Sequence, residues 1–372
     1  MAVLGLVCCW LIKIHNLSDL ICLLMRILLL LFLAADAFAL VGPASRRSLL
    51  LCDVPAEIKP LLEQQFGDLS SLLYISADDE ALADRLEEED VDAFVVRSAN
   101  TVSADMVRRL PQCVKAIGRA GVGCDNIDLV ACKDADLLVV TAAGANAVAV
   151  AEHALGLMLA LARKMKPSIS SVASGRWERP SLTGIGLRGR SLGLVGFGAI
   201  GAELAQIASA LGMKVLVAPT TVTRSTSADT LALREQRIKE CEVEQVASLE
   251  ELLRSSDIVS VHLPLTDATR SCVGKSQLQF MRPNSFLIST ARGGVVNESE
   301  LLECLKYGGI AGAALDVFES EGPGLIKDKT LMELVQLDSV LITPHIGGHT
   351  EEAQSDVWTT VVARLLEELN DM

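Results

Sequence analysis

The chain is predicted to fold as two similar α/β lobes, each built on a parallel sheet, with a cleft between them. Three observations predict this. Half of the 372 residues are apolar but only 3% are aromatic, so Ala, Val, Leu, Ile and Gly fill the interior, as in sheets buried on both faces. Short apolar runs alternate with amphipathic segments along most of the chain, the pattern of βαβ units. A glycine fingerprint, Gly196-Phe197-Gly198-Ala199-Ile200-Gly201, stands between one such run and a helical pattern.

The first 48 residues stand apart. Met25-Arg26 precedes the apolar run 27–35, and Ala37-Phe38-Ala39 follows, the layout of a secretory signal peptide. The run is shorter than the roughly 20 apolar residues that a spanning helix needs. Cleavage after Ala37 exposes Phe38 ahead of Ser45-Arg46-Arg47-Ser48. That order resembles the bipartite leaders of algae with complex plastids, so plastid import is expected, with secretion or a membrane anchor as alternatives. No membrane contact is expected of the mature chain.

From residue 49 the elements follow in order. Residues 49–52 read as a strand and 58–66 as a helix; 93–96, 114–117 and 137–140 read as further buried strands. An apolar helix is expected over 147–164, with Asn146 as its cap and Lys166-Pro167 ending it. Gly- and Ser-rich stretches at 170–175 and 181–189 are expected as loops. A second strand series follows at 191–195, 213–217, 258–261, 286–288, 310–314 and 340–342. Residues 220–244, Ser/Thr-rich and then charged, are expected as an exposed excursion holding a short helix. Thr350 caps a last helix over 351–369.

Charge and cysteine usage exclude some functions. The formal net charge is −14; residues 1–48 carry a net +2, leaving −16 on the body. A nucleic-acid surface needs clustered Lys and Arg, so none is expected. Of the ten cysteines, Cys8, Cys9 and Cys22 lie in the leader and seven are scattered, none as a Cys-x-x-Cys pair. They read as reduced, mostly buried thiols, and no metal site is expected.

The fingerprint gains weight from its flanks, an apolar run at 192–195 and a helical pattern at 199–211. Gly196 permits a tight turn, Gly198 lets backbone approach a pyrophosphate, and Gly201 lets helix pack on strand. The helix N-terminus then offers free N–H groups to the anion. An NAD-selective site carries an acid at the end of the next strand. Here Pro219 stands at about that place, with Thr220, Thr221 and Arg224 beyond it and no acid before Asp229. NAD is the expected cofactor, and NADP is equally open.

Three residues downstream supply chemistry. Arg292, after a strand in Thr290-Ala291-Arg292-Gly293, suits a bidentate grip on a carboxylate. His345, in Thr343-Pro344-His345, can move a proton to or from a hydroxyl. Glu321 can hold that imidazole and favour its charged form. Each alone reads as readily as a surface charge or a strand-end residue; together, behind the fingerprint, they read as a hydride-transfer site. Among the other histidines, His262 reads as structural or cofactor-lining, His153 as packing, and His349 as touching solvent or substrate.

The motifs together resemble the D-isomer-specific 2-hydroxyacid dehydrogenase family over about residues 49–370. They include Val96-Arg97-Ser98-Ala99, Gly118-Arg119-Ala120-Gly121-Val122-Gly123-Cys124-Asp125-Asn126, Ala149-Val150-Ala151-Glu152-His153, Leu315-Asp316-Val317-Phe318 and Thr343-Pro344-His345-Ile346-Gly347-Gly348. The resemblance implies two Rossmann/flavodoxin-like lobes: a substrate lobe (49–146), a cofactor lobe (147–342) inserted into it, and a segment (343–372) that returns to the first. It implies that Arg292 binds substrate and that Glu321 and His345 form the catalytic relay. Arg97, Ser98, Asn100, Gly121, Val122 and Gly123 would hold substrate. Gly196, Gly198, Ala199, Ile200 and Gly201, with Thr290, Ala291, Asp316, Gly347 and Gly348, would hold the cofactor. The helix from Ala147 would be hinge and dimer contact, in a homodimer or larger homo-oligomer. The implied reaction is hydride transfer between NAD(P) and a small D-2-hydroxy acid, foremost D-3-phosphoglycerate, at the entry to serine synthesis. Reduction of glyoxylate or hydroxypyruvate, and a dinucleotide-sensing scaffold, are the alternatives. Asn100, Ala142-Ala143 and Pro219 depart from the family pattern. No regulatory domain is expected after the last helix, and so no feedback by serine.

Overall fold

The computed structural model describes residues 47–76, 79–219, 228–322 and 327–372. The leader expectations fall outside these residues, as do Thr220, Thr221 and Arg224. One boundary moves: Arg47 and Ser48 belong to the first strand, and Arg47 pairs with Asp92 at 3.0 Å.

The first sheet holds β1 (Arg47–Cys52), β2 (Ser70–Ile75), β3 (Ala93–Val96), β4 (Ala116–Arg119) and β5 (Leu138–Thr141), in the order β2-β1-β3-β4-β5 with every pair parallel. This is the flavodoxin-like order. Its crossovers are α1 (Lys59–Phe66), α2 (Asp79–Glu88), α3 (Ala104–Arg109) and α4 (Leu129–Asp134). The Ser103 and Asp128 side chains cap α3 and α4 by accepting from Met106 N and Ala131 N. Strand β2 escaped the sequence reading because it is an edge strand that opens on two serines and leaves most of its side chains half-exposed.

The second sheet holds β6 (Ser191–Val195), β7 (Lys214–Val217), β8 (Glu244–Gln245), β9 (Ile258–Val261), β10 (Phe286–Ser289), β11 (Gly312–Leu315) and β12 (Val340–Ile342). Their order is β12-β11-β10-β9-β6-β7-β8, all parallel. The order reverses between β6 and β9, which opens a crevice at the strands' C-terminal ends, where doubly wound sheets bind ligands.

Helix α5 (Ala147–Ala162) packs on this second sheet and on α7 (Ala199–Ala210). It is shorter than expected. Lys164 takes a left-handed conformation (φ 51°) and a new helix, α6 (Met165–Ala173), begins. Pro167 therefore lies in the first turn of α6, where a missing N–H costs little, and much of the expected loop at 170–175 is helical. Asn146 makes no side-chain cap bond; it lines the cleft between the lobes instead. Helix α8 (Ala228–Glu240) is a full helix, not the short one expected in the 220–244 excursion.

The last helix, α13, spans Glu351–Asp371, with Thr350 accepting from Ala353 N as its cap. It follows α9 (Leu249–Ser255), α10 (Lys275–Leu278), α11 (Glu298–Lys306) and α12 (Lys329–Gln336). It leaves the second sheet and packs on the first. Val357, Trp358, Val361, Val362, Leu365 and Leu369 recur at helical spacing and bury among Leu49, Val95 and Ala116. The chain thus closes its first lobe with its last element, and the two sheets face each other across the cleft.

Candidate active site

The turn after β6 explains its glycines. Gly196 has φ 97°, and a Cβ there would sit 2.6 Å from the His262 carbonyl oxygen. On Gly201 a Cβ would lie 2.8 Å from the Gly196 oxygen, so helix and turn touch through backbone. Gly198 differs: it is the N-cap of α7, makes no side-chain cap, and a Cβ would meet nothing within 4 Å. The N-terminus of α7 is thus left uncapped by a side chain, with open space beside Gly198, which fits a dinucleotide pyrophosphate. At the end of β7, Ala218 and Pro219 offer no acid for a ribose. Sequence reading missed Arg234 of α8, which donates to the Ala218 oxygen at 2.6 Å; only the folding back of α8 brings it there.

The cleft has a volume of about 900 Å³. Arg97 and Arg119 line it from the first lobe, Arg270 and Arg292 from the second. Arg119 ends β4 much as Arg292 follows β10, so the ends of strands in both sheets deliver cations to one space. Burial lowers the basicity of Arg119, and the neighbouring charges of Arg292 and Arg97 lower it further. Among the described residues no carboxylate pairs with it, and its Nε is buried without a partner. Arg97 reaches the Asp53 carbonyl oxygen at 3.4 Å and Gln354 Oε1 at 3.5 Å.

Glu321 and His345 also line the cleft. His345 Nδ1 lies 2.6 Å from Glu321 Oε2, while Glu321 Oε1 accepts from Phe318 N at 2.9 Å. The Glu321 hydrogen bond raises the imidazole above its ordinary value, outweighing burial and the charge of Arg292, which act downward. With Nδ1 held, Nε2 is the ring nitrogen left for a reactant.

The backbone under His345 is strained (φ 53°) and tied down. Its N–H donates to the Asp316 carbonyl oxygen at 2.8 Å. The Asp316 carboxylate, 1% exposed, accepts from Thr343 Oγ1 (2.6 Å), Ile346 N (2.9 Å) and Gly347 N (2.8 Å). Burial pushes its carboxyl up, but hydrogen bonds from His153, Thr343 and the two amides together hold it below the usual range. His153 Nε2 lies 3.0 Å from Thr343 Oγ1 and 3.4 Å from Asp316 Oδ1. The packing role read for His153 is thus corrected: it belongs to the polar network beneath the loop that carries His345.

Arg292 donates from Nε to Asp125 Oδ2 (3.1 Å) and from Nη1 to the Ala291 oxygen (2.8 Å). Arg97, Ser98, Gly121, Arg292, Glu321, His345 and Gly348 line one cleft, and His349 joins them. Three residues expected to hold substrate are not among those that line the cleft. Asn100, 2% exposed, accepts from Arg97 N at 3.1 Å and so shapes the loop from below. Val122 is partly exposed to solvent, and the Gly123 backbone lies against Arg292 Nη2 and the Asp125 carboxylate. The Thr290 hydroxyl bonds inward to His262 Nδ1 at 3.1 Å, and Ala291 is buried beside it. His262 Nε2 lies 2.9 Å from Ser260 Oγ, and burial pushes the imidazole down to about 4, so it is a neutral clamp within the lobe.

By class, a glycine fingerprint at the switch point of a doubly wound sheet, together with a cleft that holds the His345–Glu321 pair, fits a two-lobed, dinucleotide-binding oxidoreductase. The family model "D-isomer specific 2-hydroxyacid dehydrogenase, NAD binding domain" matches residues 155–347. The hydroxypyruvate reductase of Thermotoga maritima is 39% identical over 280 residues, 75% of this chain and 85% of that protein. The chain belongs to the D-isomer-specific 2-hydroxyacid dehydrogenases. It is also 38% identical over 277 residues, 74% of its length, to the D-3-phosphoglycerate dehydrogenase of Methanocaldococcus jannaschii, of which it covers 49%. It spans about half the length of the D-3-phosphoglycerate dehydrogenases it matches. The D-lactate dehydrogenase of Aquifex aeolicus, solved with NAD and lactic acid, superposes with a TM-score of 0.68 at 28% identity, over 86% of this chain and 95% of that one.

Proposed function

We propose that the chain interconverts D-3-phosphoglycerate and 3-phosphohydroxypyruvate. The observation that carries this is the supply of arginines from both lobes, above all Arg119, largely enclosed, with Asp125 nearby but in no ion pair among the described residues. A desolvated cation of this kind calls for an anion, and a substrate with a carboxylate and a phosphate provides two. In this reading Arg292 grips the carboxylate, and Arg97 and Arg119 meet the phosphate. His345 Nε2 takes the proton of the 2-hydroxyl during oxidation and returns it during reduction, and Glu321 stabilises the imidazolium between the two. A bound nicotinamide dinucleotide supplies the hydride acceptor or donor. Ala199, Ile200 and Gly201 hold its pyrophosphate. NAD is the cofactor proposed; Arg234 beside Ala218, with no acid there, supports NADP as well. Ile169 and Val172 on α6 and nearby Trp177, all exposed, support a second copy packing on this face.

A second reading, reduction of hydroxypyruvate or glyoxylate, draws on the acids in the cleft. Asp125 and Glu319 already pair with Arg292 and Arg270, at 3.1 and 3.3 Å. Following NADH and NADPH absorbance with the three keto acids separates the readings. Phosphohydroxypyruvate is expected to show a kcat/KM about 100-fold above the others. Equal or better turnover of the unphosphorylated acids replaces the first reading with the second. Nucleotide binding with no turnover of any acid favours a sensing scaffold.

The His345–Glu321 pair also makes a pH prediction. Oxidation needs neutral His345 and fails as pH falls below its raised pKa; reduction needs the imidazolium and fails as pH rises through it. Replacing Glu321 by Gln removes the largest upward cause, so both limbs are expected to move to lower pH. Rate profiles of the wild type and Glu321→Gln measure this, and unmoved limbs would exclude the pairing.

A further inference from the structure

From the contact across the cleft we infer that Asp125, on the loop after β4, is a positioning residue that orients Arg292 for its substrate. The inference rests on the proposed role of Arg292 as the carboxylate grip. A guanidinium has five N–H donors in a planar fork. Asp125 Oδ2 takes Nε–H at 3.1 Å and the Ala291 oxygen takes one Nη1–H at 2.8 Å. Three donors remain, one on Nη1 and both on Nη2, and the Nη1–Nη2 end of the fork is the one left to accept a carboxylate. The plane of the fork is fixed by two acceptors, one from each lobe.

The loop is shaped to receive the guanidinium. A Cβ on Gly123 would lie 2.3 Å from Arg292 Nη2 and 2.6 Å from Asp125 Oδ2, so glycine leaves the room that both side chains use. Ala291 belongs to the second lobe and Asp125 to the first, so Arg292 is fully held only when the lobes meet. Asp125 also places a negative charge among Arg97, Arg119 and Arg292. That charge opposes an incoming anion at longer range, while its hydrogen bond holds the fork for the bound one. The two effects act on different kinetic constants, and this gives the test.

Asp125→Ala removes both effects; Asp125→Asn removes the charge and keeps an oxygen that accepts from Nε. Asp125→Ala is expected to lower kcat about tenfold, as for a reacting group held slightly out of place. Asp125→Asn is expected to keep kcat within about threefold of wild type, and KM for the keto acid is expected to fall in both. The assay uses hydroxypyruvate and phosphohydroxypyruvate with NADH, alongside melting temperature and NADH affinity, which should not change because the Asp125 side chain is exposed. An unchanged kcat in Asp125→Ala overturns the inference, and so does an Asn variant as impaired as the Ala variant. Arg292→Ala is the separate control: if it leaves the keto-acid KM unaltered, the role of Arg292 fails, whatever Asp125 does.

Discussion

His345→Ala is expected to lower turnover about 1,000-fold in either direction, the loss typical of removing a general acid–base. The affinity for NADH should stay close to wild type. The imidazole is tied to Glu321 at 2.6 Å and lines the substrate cleft, whereas the dinucleotide amides lie at the start of α7. The strained backbone at His345 does not penalise the variant much. The φ of 53° is imposed by hydrogen bonds of the loop, which do not involve the ring. Steady-state rates and a fluorescence titration with NADH measure the two quantities separately. Near-normal rates would remove His345 from the chemistry, and lost nucleotide binding would mean that the substitution had disturbed the second lobe.

Much of this site was legible in the sequence because it lies at strand ends. A short apolar run followed by a charged or glycine-rich turn marks the C-terminal edge of a parallel sheet, and Arg292, His345 and the fingerprint all occupy such edges. The alternation of elements likewise carried both sheets apart from the edge strands β2 and β8, whose side chains are half-exposed or exposed and carry little apolar pattern. What stayed hidden depends on tertiary approach. Asp125 meets Arg292 across a separation of 167 positions, and Arg97 reaches Gln354 across 257. No local pattern encodes such pairs. The place of Asn100 was hidden for a related reason: it lies within the loop expected to hold substrate, and the chain turns its side chain back onto the Arg97 amide. His153 was read from its place on an apolar helix, and nothing near it in sequence announces Asp316 as a partner.

Asp316 links the fold to the chemistry, and its replacement by Asn has the second large expected effect. Oδ1 accepts from Thr343 Oγ1 and Ile346 N, and Oδ2 accepts from Gly347 N. An Asn amide sets N–H₂ against an N–H or O–H donor whichever way it is turned. At 1% exposure, water cannot relieve that clash. A loss of about 2–4 kcal/mol at neutral pH is expected, the cost of breaking hydrogen bonds to a buried charge. The acid dependence should change with it. The folded-state pKa of Asp316 is depressed, because its hydrogen bonds outweigh burial. Its contribution to stability is therefore fully present above the unfolded carboxylate value of about 3.9 and lost as pH falls through the folded value. Asp316→Asn should melt lower than wild type at neutral pH, with the gap closing below about pH 4. Turnover should fall too, since the same carboxylate holds the loop that carries His345. Thermal melts across pH together with kcat test both halves of this expectation. An Asn variant as stable and as active as wild type would mean that the loop is held by the backbone bond from His345 N to the Asp316 oxygen, and not by the side chain.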